Sequence, residues 1–378
     1  MNRALFTSGQ RTPFGRAFKG AYREVRADDL LVALLQVQTR AHLDWCEYGI
    51  DDLILGCAYP EGEQGYNLGR VAALGAGLDV PGMTINRLCA SSLEAVSLAA
   101  ARVSCGWGRV FLTAGVESMS RIPRRGGNFS ASPRIEEIAP HAYIAMGDTA
   151  EEVARRFPQI SRAQQEDLAA GSHEMAFRAY ERGDYTNQIH PYLIDRDEFI
   201  RFPVNREKMA SLAPAFSEAG VVTAATSSPL TDGATSGWVL EMETAKQLGV
   251  THGLEIVDSV VAPVAPEIMG LGPVPAVKKI FLQNQIGPPD VAALEINEAF
   301  AVQVIASAQE LNLPANRINT WGGAIALGHP LGASGLRLVM TLHDRLVQLN
   351  QPEALGIVSL CVGGGQGMAI LFRYIDSL

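Results

Sequence analysis

Residues 82–117 read GMTINRLCASSLEAVSLAAARVSCGWGRVFLTAGVE. A short apolar run at 82–86 leads into a turn around Cys89. Ser91–Val103 then mixes alanine, serine and aliphatic residues, and 109–117 is a second apolar run. The first and last runs read as strands and the middle as a helix, an α/β unit. A helix of such small side chains suits packing on all sides.

Outward from that unit, 3–8 (RALFTS) and 52–59 (DLILGCAY) read as buried strands with a helix over Asp28–Ala41 between them. After residue 118 the texture changes. Charges, prolines and aromatics accumulate, with RIPRR at 121–125 and FPVNREK at 202–208, and polar helices are expected at 148–157 and 162–182. This stretch reads as an insertion standing on the core, where binding elements often sit. From about residue 225 small residues return, with strands expected at 253–262, 291–297, 356–361 and 367–373 and a helix over Leu331–Gln348. The second half weakly echoes the first, since a turn (NTWGGAIALGHP), a helix and a glycine-bearing strand (SLCVGGG) recur in order. A duplicated fold would set the two turns face to face. The expected division is 1–118 plus about 225–250, an inserted 119–224, and 251–378.

With 378 residues, 47% of them hydrophobic, the chain is long enough for two packed domains or one duplicated unit. A net charge of −9 argues against non-specific nucleic-acid binding, so an anionic ligand would need a local basic patch. The five cysteines, at 46, 57, 89, 105 and 361, match neither a disulfide framework nor paired metal spacings. That usage fits a reducing compartment. MNRALFTSGQRTPFG lacks the pattern of a signal peptide, no run approaches the roughly 18 apolar residues of a membrane span, and the final DSL differs from SKL. The expectation is a cytoplasmic protein.

Four side chains stand in small-residue contexts: Cys89 in NRLCASS, Asn297 in INEAFA, His329 in GGAIALGHP and Cys361 in SLCVGGGQG. Two thiols, an imidazole and a carboxamide suit covalent acyl chemistry on sulfur. Cys89 opens a helix, whose amides and dipole favour a thiolate. His329, framed by Gly328 and Pro330, is a candidate base. The glycines after Cys361 can aim amides at an oxyanion. Each also has an ordinary structural reading: a buried thiol, a turn histidine, a tight strand turn and, for Asn297, a helix N-cap. Glu298 reads equally as an acceptor for backbone amides. Gly323 and Gly328 have phosphate-loop spacing, but His329-Pro330 stands where Lys-Ser/Thr is required, and no GxGxxG follows the first strand.

RTPFG, ADDL, NRLCASSLEAV, GVESMS, MGDTAEEVA, MGLGPVPA, INEAFA, GGAIALGHPLGASG and CVGGGQGMA follow one another along almost the whole chain. In this the chain resembles the thiolase family. The resemblance implies two duplicated βαβαβ-type halves in a layered αβαβα core with an inserted helical loop domain. It also implies coenzyme A as co-substrate, acyl-CoA as ligand, no permanently bound cofactor and no metal. Cys89 matches the acylated nucleophile, His329 its base and Cys361 the second acid/base. Asn297 with His329, and the amides of Cys89 and Gly363, match two oxyanion holes. Arg201, Leu212 and Ser228 match coenzyme A contacts, and Met146 and Phe300 acyl-pocket walls. GCAYPEGEQGYNLGR and TAATSSPLTDGA look more like degradative 3-ketoacyl-CoA thiolases of fatty-acid β-oxidation than biosynthetic acetoacetyl-CoA thiolases, and Ala145 replaces a usual histidine before Met146-Gly147. A homodimer is implied, with a dimer of dimers or a hydratase/dehydrogenase partner as alternatives. Ala90, Glu94, Lys208 and Trp321 depart from the common pattern without removing a catalytic group, and Trp321 stands where it could reshape the site near His329. Ketoacyl synthases of the same fold use two histidines or a histidine and an asparagine, which Cys361 argues against. A non-catalytic acyl-CoA-binding relative would be expected to lose Cys89, His329 or Cys361.

Overall fold

The computed structural model describes residues 2–378. Its strands are β1 (Ala4–Arg11), β2 (Gly15–Arg16), β3 (Asp52–Gly56), β4 (Gly82–Ile85), β5 (Val110–Ser118), β6 (Thr231–Glu241), β7 (Gly253–Pro263), β8 (Val291–Ile296), β9 (Leu355–Val362) and β10 (Gln366–Ile375). They form one ten-stranded sheet in the order β4-β3-β5-β6-β1-β7-β10-β9-β8, with the short β2 beside β6.

The duplication is visible in that order. In the first half, β4, β3 and β5 pair in parallel, and β6 and β1 add on antiparallel. In the second half, Ile318 bridges β8 in parallel, β8 pairs β9 in parallel, and β10 and β7 add on antiparallel. The two half-sheets join at Leu5–Phe6 of β1 against Leu254–Glu255 of β7.

Side-chain alternation turns these half-sheets into layers. Ile54 and Phe111 of the first half, and Val358, Leu360, Ile370 and Phe372 of the second, point into one core around the helices Ser91–Ser104 and Ser334–Leu349. The opposite faces, Leu53, Leu55 and Leu112 on one side and Ile357 and Leu371 on the other, are covered by the helices Ala27–Arg40 and Pro273–Asn284. The result is helix, sheet, helix pair, sheet, helix. The central helices approach closely: a side chain at Gly335 would stand 2.5 Å from the Leu93 amide nitrogen, and the Leu336 amide donates to Ser92 Oγ at 3.0 Å. This is the packing anticipated for the small-residue helix.

The polar helices of the inserted segment run over Met146–Arg156 and Arg162–Arg182, the latter opened by a capping box at Ser161 and Gln164. A buried bidentate pair ties the insertion to β1, with Arg11 donating to Asp197 at 2.7 and 2.8 Å and Tyr180 donating to the same carboxylate at 2.8 Å. The sequence reading assigns no strand to Thr231–Glu241, yet β6 is central and buried along nearly its whole length. Its TDGATSGW stretch has weak strand propensity, and its burial between β5 and β1 overrides that.

Candidate active site

The nucleophile turn is a single 3₁₀ turn, Leu88–Ala90, feeding the helix that begins at Ser91. Leu88 has φ of +45°, a costly conformation for a residue with a branched side chain, held where the chain turns out of β4. The turn is braced by Ser91, whose hydroxyl accepts from the Arg87 amide at 2.9 Å and donates to the Leu88 carbonyl at 2.7 Å. Arg87 also pairs with Glu94 at 2.7 Å. Glu94 therefore works as a brace for this turn.

The Cys89 side chain keeps some solvent access, yet protein encloses the sulfur closely. Burial pushes its pKa up to about 11, against which the amides of Gly363 and of Cys89 itself pull down. The Gly363 backbone lies against the nucleophile turn, where a side chain at Gly363 would stand 2.8 Å from Leu88 Cδ1. Cys361, fully buried near the end of β9, is raised further above the thiol range, first by burial and then by the neighbouring Cys89 charge. The strand that carries Cys361 packs directly on the Leu88–Ala90 turn that carries Cys89. After β9 the chain reverses through Gly363, Gly364 and Gly365, and the last two have φ of +79° and +83°. Only glycine takes that pair of angles cheaply, and a side chain at Gly365 would meet the Val264 carbonyl at 2.5 Å.

His329 follows Gly328, whose φ is +107°. Its amide donates to Thr231 Oγ1 at 2.9 Å. Nδ1 lies 2.6 Å from Ser334 Oγ, and Nε2 lies 3.3 Å from the side-chain Nδ2 of Asn297. Burial, and next the Arg337 charge, hold the imidazole down to a pKa of about 3, so it is neutral. Asn297 is no N-cap: it follows β8 directly, and the next helix, Ala301–Glu310, begins after Phe300. Its Oδ1 is buried without a protein partner, leaving an acceptor open at the site.

Two buried carboxylates hold these turns together. Glu117, at the end of β5, accepts from the amides of Ala58 (2.9 Å), Tyr59 (3.2 Å) and Gly332 (2.9 Å) and from Gln64 Nε2 (2.9 Å). It joins the first half to the turn three residues past His329. Glu298 accepts from Ser172 Oγ at 2.7 Å, Asn319 Nδ2 at 3.1 Å and the Ile325 amide at 3.2 Å, which fits the reading of it as a structural acceptor.

Met146 and Phe300 share an apolar cluster with Cys361. Phe216, which the sequence reading does not single out, stacks edge-on to Phe300 at 5.8 Å and fills the space beside Gly147. An aromatic in the otherwise small-residue run SLAPAFSEAG was its only signal. Ser334 and Thr231 are likewise unforeseen, although Ser334 lies within the GHPLGASG run. Ser228 is brought beside the site by the hydrogen bond its backbone N–H donates to the Ala299 carbonyl at 2.9 Å. Arg201 is exposed, with its amide 3.4 Å from His173 Nδ1, and Leu212 offers its carbonyl to Arg162 at 2.7 Å. Among the described residues no hydrogen bond links Arg201, Leu212 and Ser228 to one another. Of the other basic residues, Arg121 pairs with Glu63 at 2.8 Å and Arg206 with Asp167 at 2.7 Å. The Trp321 ring packs on Tyr185, Ala176 and Ala179, fastening the inserted helix to the histidine turn. Among the described residues no group of three His, Cys, Asp or Glu is placed to hold a metal ion. No helix among them is long and apolar enough to cross a membrane.

The family models for the thiolase N-terminal and C-terminal domains match residues 5–243 and 251–374. A 3-ketoacyl-CoA thiolase of Bacillus subtilis is 37% identical over 99% of this chain and all of its own length. Among solved structures, the Bacillus anthracis acetyl-CoA acetyltransferase superposes with a TM-score of 0.88 at 34% identity, covering 99% of both chains. The dimeric peroxisomal thiolase of Saccharomyces cerevisiae also gives 0.88, at 31% identity over 98% of this chain and 97% of its own.

Proposed function

The chain belongs to the thiolase family, and from that premise we propose that it is an acetyl-CoA C-acyltransferase that cleaves 3-ketoacyl-CoA through an acyl-Cys89 intermediate. The observation that carries this reading is that the strand bearing Cys361, the Gly363 turn and the turn that follows His329 all pack on the Leu88–Ala90 turn bearing Cys89, with His329 Nε2 3.3 Å from Asn297 Nδ2. His329 Nε2 takes the Cys89 proton, and the sulfur bonds to the 3-keto carbon. The C2–C3 bond then breaks, and its electron pair leaves as the acetyl-CoA enolate, which takes a proton from Cys361 at C2. Free coenzyme A, deprotonated with help from Cys361 and His329, then forms a new thioester with the acyl group and frees Cys89. The amides of Cys89 and Gly363 hold the oxyanion on the acyl carbon. His329 and Asn297, the latter through a water at its open Oδ1, hold the thioester oxygen of the enolate. Each such donor contributes about 3 kcal/mol in comparable sites. Run backwards, the same steps are a Claisen condensation.

Arg201, Leu212 and Ser228 are assigned to coenzyme A, and Met146 and Phe300, joined by Phe216, to the acyl chain. They lie on or beside the 119–224 insertion, taken as the loop domain between an N-terminal half (1–118 plus about 225–250) and a C-terminal half (251–378). Ala145 leaves room where a histidine would narrow the pocket, which favours 3-ketoacyl-CoA longer than four carbons. The acetoacetyl-CoA reading is kept alive by the name of the Bacillus anthracis neighbour. Coenzyme A-dependent loss of four- to twelve-carbon 3-ketoacyl-CoAs, with Cys89→Ala as control, decides. Turnover rising beyond four carbons supports the proposal, strict four-carbon preference selects the alternative, and none on any length removes both.

A homodimer is supported by the dimeric yeast neighbour and by β4, an edge strand whose Met83 and Ile85 are only half-buried beside the exposed Tyr66. A reducing cytoplasm suits a nucleophile that must remain a free thiol.

A further inference from the structure

Arg337 is a fully buried side chain to which the proposed reaction gives no task. It lies one helical turn after Ser334, so both point from the same face of the helix Ser334–Leu349. Its Nε, Nη1 and Nη2 have no hydrogen-bond partner in the protein, and the nearest carboxylate oxygen, Glu295 Oε2, is 3.7 Å from Nη1 and equally unpartnered. The other Glu295 oxygen is engaged by Arg345 at 2.5 Å, which also donates to the Leu294 carbonyl at 2.9 Å. A buried charge without close hydrogen bonds is costly, replacing a whole buried ion pair by apolar residues is often neutral or stabilising, and Glu295 would keep Arg345 as its partner if Arg337 were removed. Arg337 is thus poorly explained as a stabiliser.

Its neighbours say what it does hold. Glu295 precedes Asn297 by two residues, so both side chains leave the β8 segment on one face. Asn297 reaches His329 Nε2, His329 Nδ1 reaches Ser334, and Ser334 shares a helix face with Arg337. The five residues close a ring in which helix and strand are joined on one side by Arg337–Glu295 and on the other by His329–Asn297. We propose that Arg337 is a positioning residue, which sets His329 against Asn297 through Ser334 on its own helix and Glu295 on the facing strand. The inference rests on the roles given above to His329 and Asn297. The charged and titratable groups facing Arg337 are Glu295 and Glu298 from the β8 end, Arg11 from β1, and Tyr185 from the insertion, with Arg345 on its own helix. Glu117 faces the histidine turn through Gly332. The Arg337 charge also disfavours a second proton on His329.

The test compares Arg337→Met, Arg337→Lys, Glu295→Gln and His329→Ala in the thiolysis assay, with melting temperature measured alongside. Arg337→Met is expected to fold with little change in melting temperature and to keep KM for coenzyme A. Its kcat is expected to fall about 10- to 100-fold, the scale of a small misplacement in an active site. Arg337→Lys is expected to recover most of that loss. A folded Arg337→Met with wild-type kcat overturns the proposal. If that variant does not fold, Glu295→Gln decides: reduced kcat at constant KM upholds the ring, and wild-type kcat overturns it. His329→Ala separates the two levels, since an active His329→Ala would remove the underlying reading rather than the ring alone.

Discussion

His329 Nδ1 lies 2.6 Å from Ser334 Oγ, and the same hydroxyl lies 3.0 Å from the Pro330 carbonyl. A hydroxyl has one proton to give, and the carbonyl can only accept. With the Ser334 proton on Pro330, Nδ1 carries the imidazole hydrogen and Nε2 keeps its lone pair. Asn297 donating to Nε2 agrees with that tautomer.

Ser334→Ala should therefore lower kcat by tenfold or more with KM nearly unchanged, because the tautomer loses its guide. Stability should fall by about 1–3 kcal/mol for the buried nitrogen left unpaired. Steady-state kinetics and urea denaturation check both; an undiminished kcat would show that Ser334 does not orient the base.

Acid sensitivity follows from the same imidazole. Burial depresses its pKa to about 3, below the ordinary 6.5. Between those values the unfolded chain binds a proton that the folded chain refuses, so stability is complete above pH 6.5 and declines as pH falls towards 3, by at most about 1.4 kcal/mol per unit. His329→Asn removes this loss. The melting temperature of wild type should drop more steeply than that of the variant between pH 6.5 and 5, and parallel curves would contradict the assignment.

Glu117→Gln places an amide group among four donors that now share a carboxylate. At least one donor loses its partner, and about 2–4 kcal/mol of stability should go with it. Activity should fall too, since Gly332 anchors the histidine turn. Denaturant midpoints comparable to wild type would show that Glu117 is not the clamp.

Ala145→His reinstates the side chain common in the biosynthetic members. It is expected to shift kcat/KM towards four-carbon 3-ketoacyl-CoA by about tenfold or more, the scale of steric discrimination in an apolar pocket. An unchanged chain-length profile would move the specificity determinant elsewhere, with Phe216 the next residue to test.

The legible parts of this protein are those where composition and conformation agree. Ser91–Val103 reads as a closely packed helix because its alanine and serine side chains let neighbours approach. Cys89, His329 and Cys361 stand out because small-residue turns frame them, glycine-bearing at His329 and Cys361. β6 escaped because its residues 231–237 are small or polar, and the large apolar side chains Trp238, Val239 and Leu240 come only at its end. Glu117 and Arg337 act through contacts between segments far apart in the chain, while Ser334 meets His329 only five positions away inside a run that reads as a turn. Glu117 to Gly332 spans 215 positions, and no local pattern signals such a bond.

The most direct test is to mix the enzyme with a 3-ketoacyl-CoA in the absence of free coenzyme A, quench with acid and map the peptides by mass. The account predicts one shortened acyl group on Cys89, discharged when coenzyme A is added before the quench. An acyl group on Cys361 instead, or steady turnover with Cys89 unmodified, would contradict it.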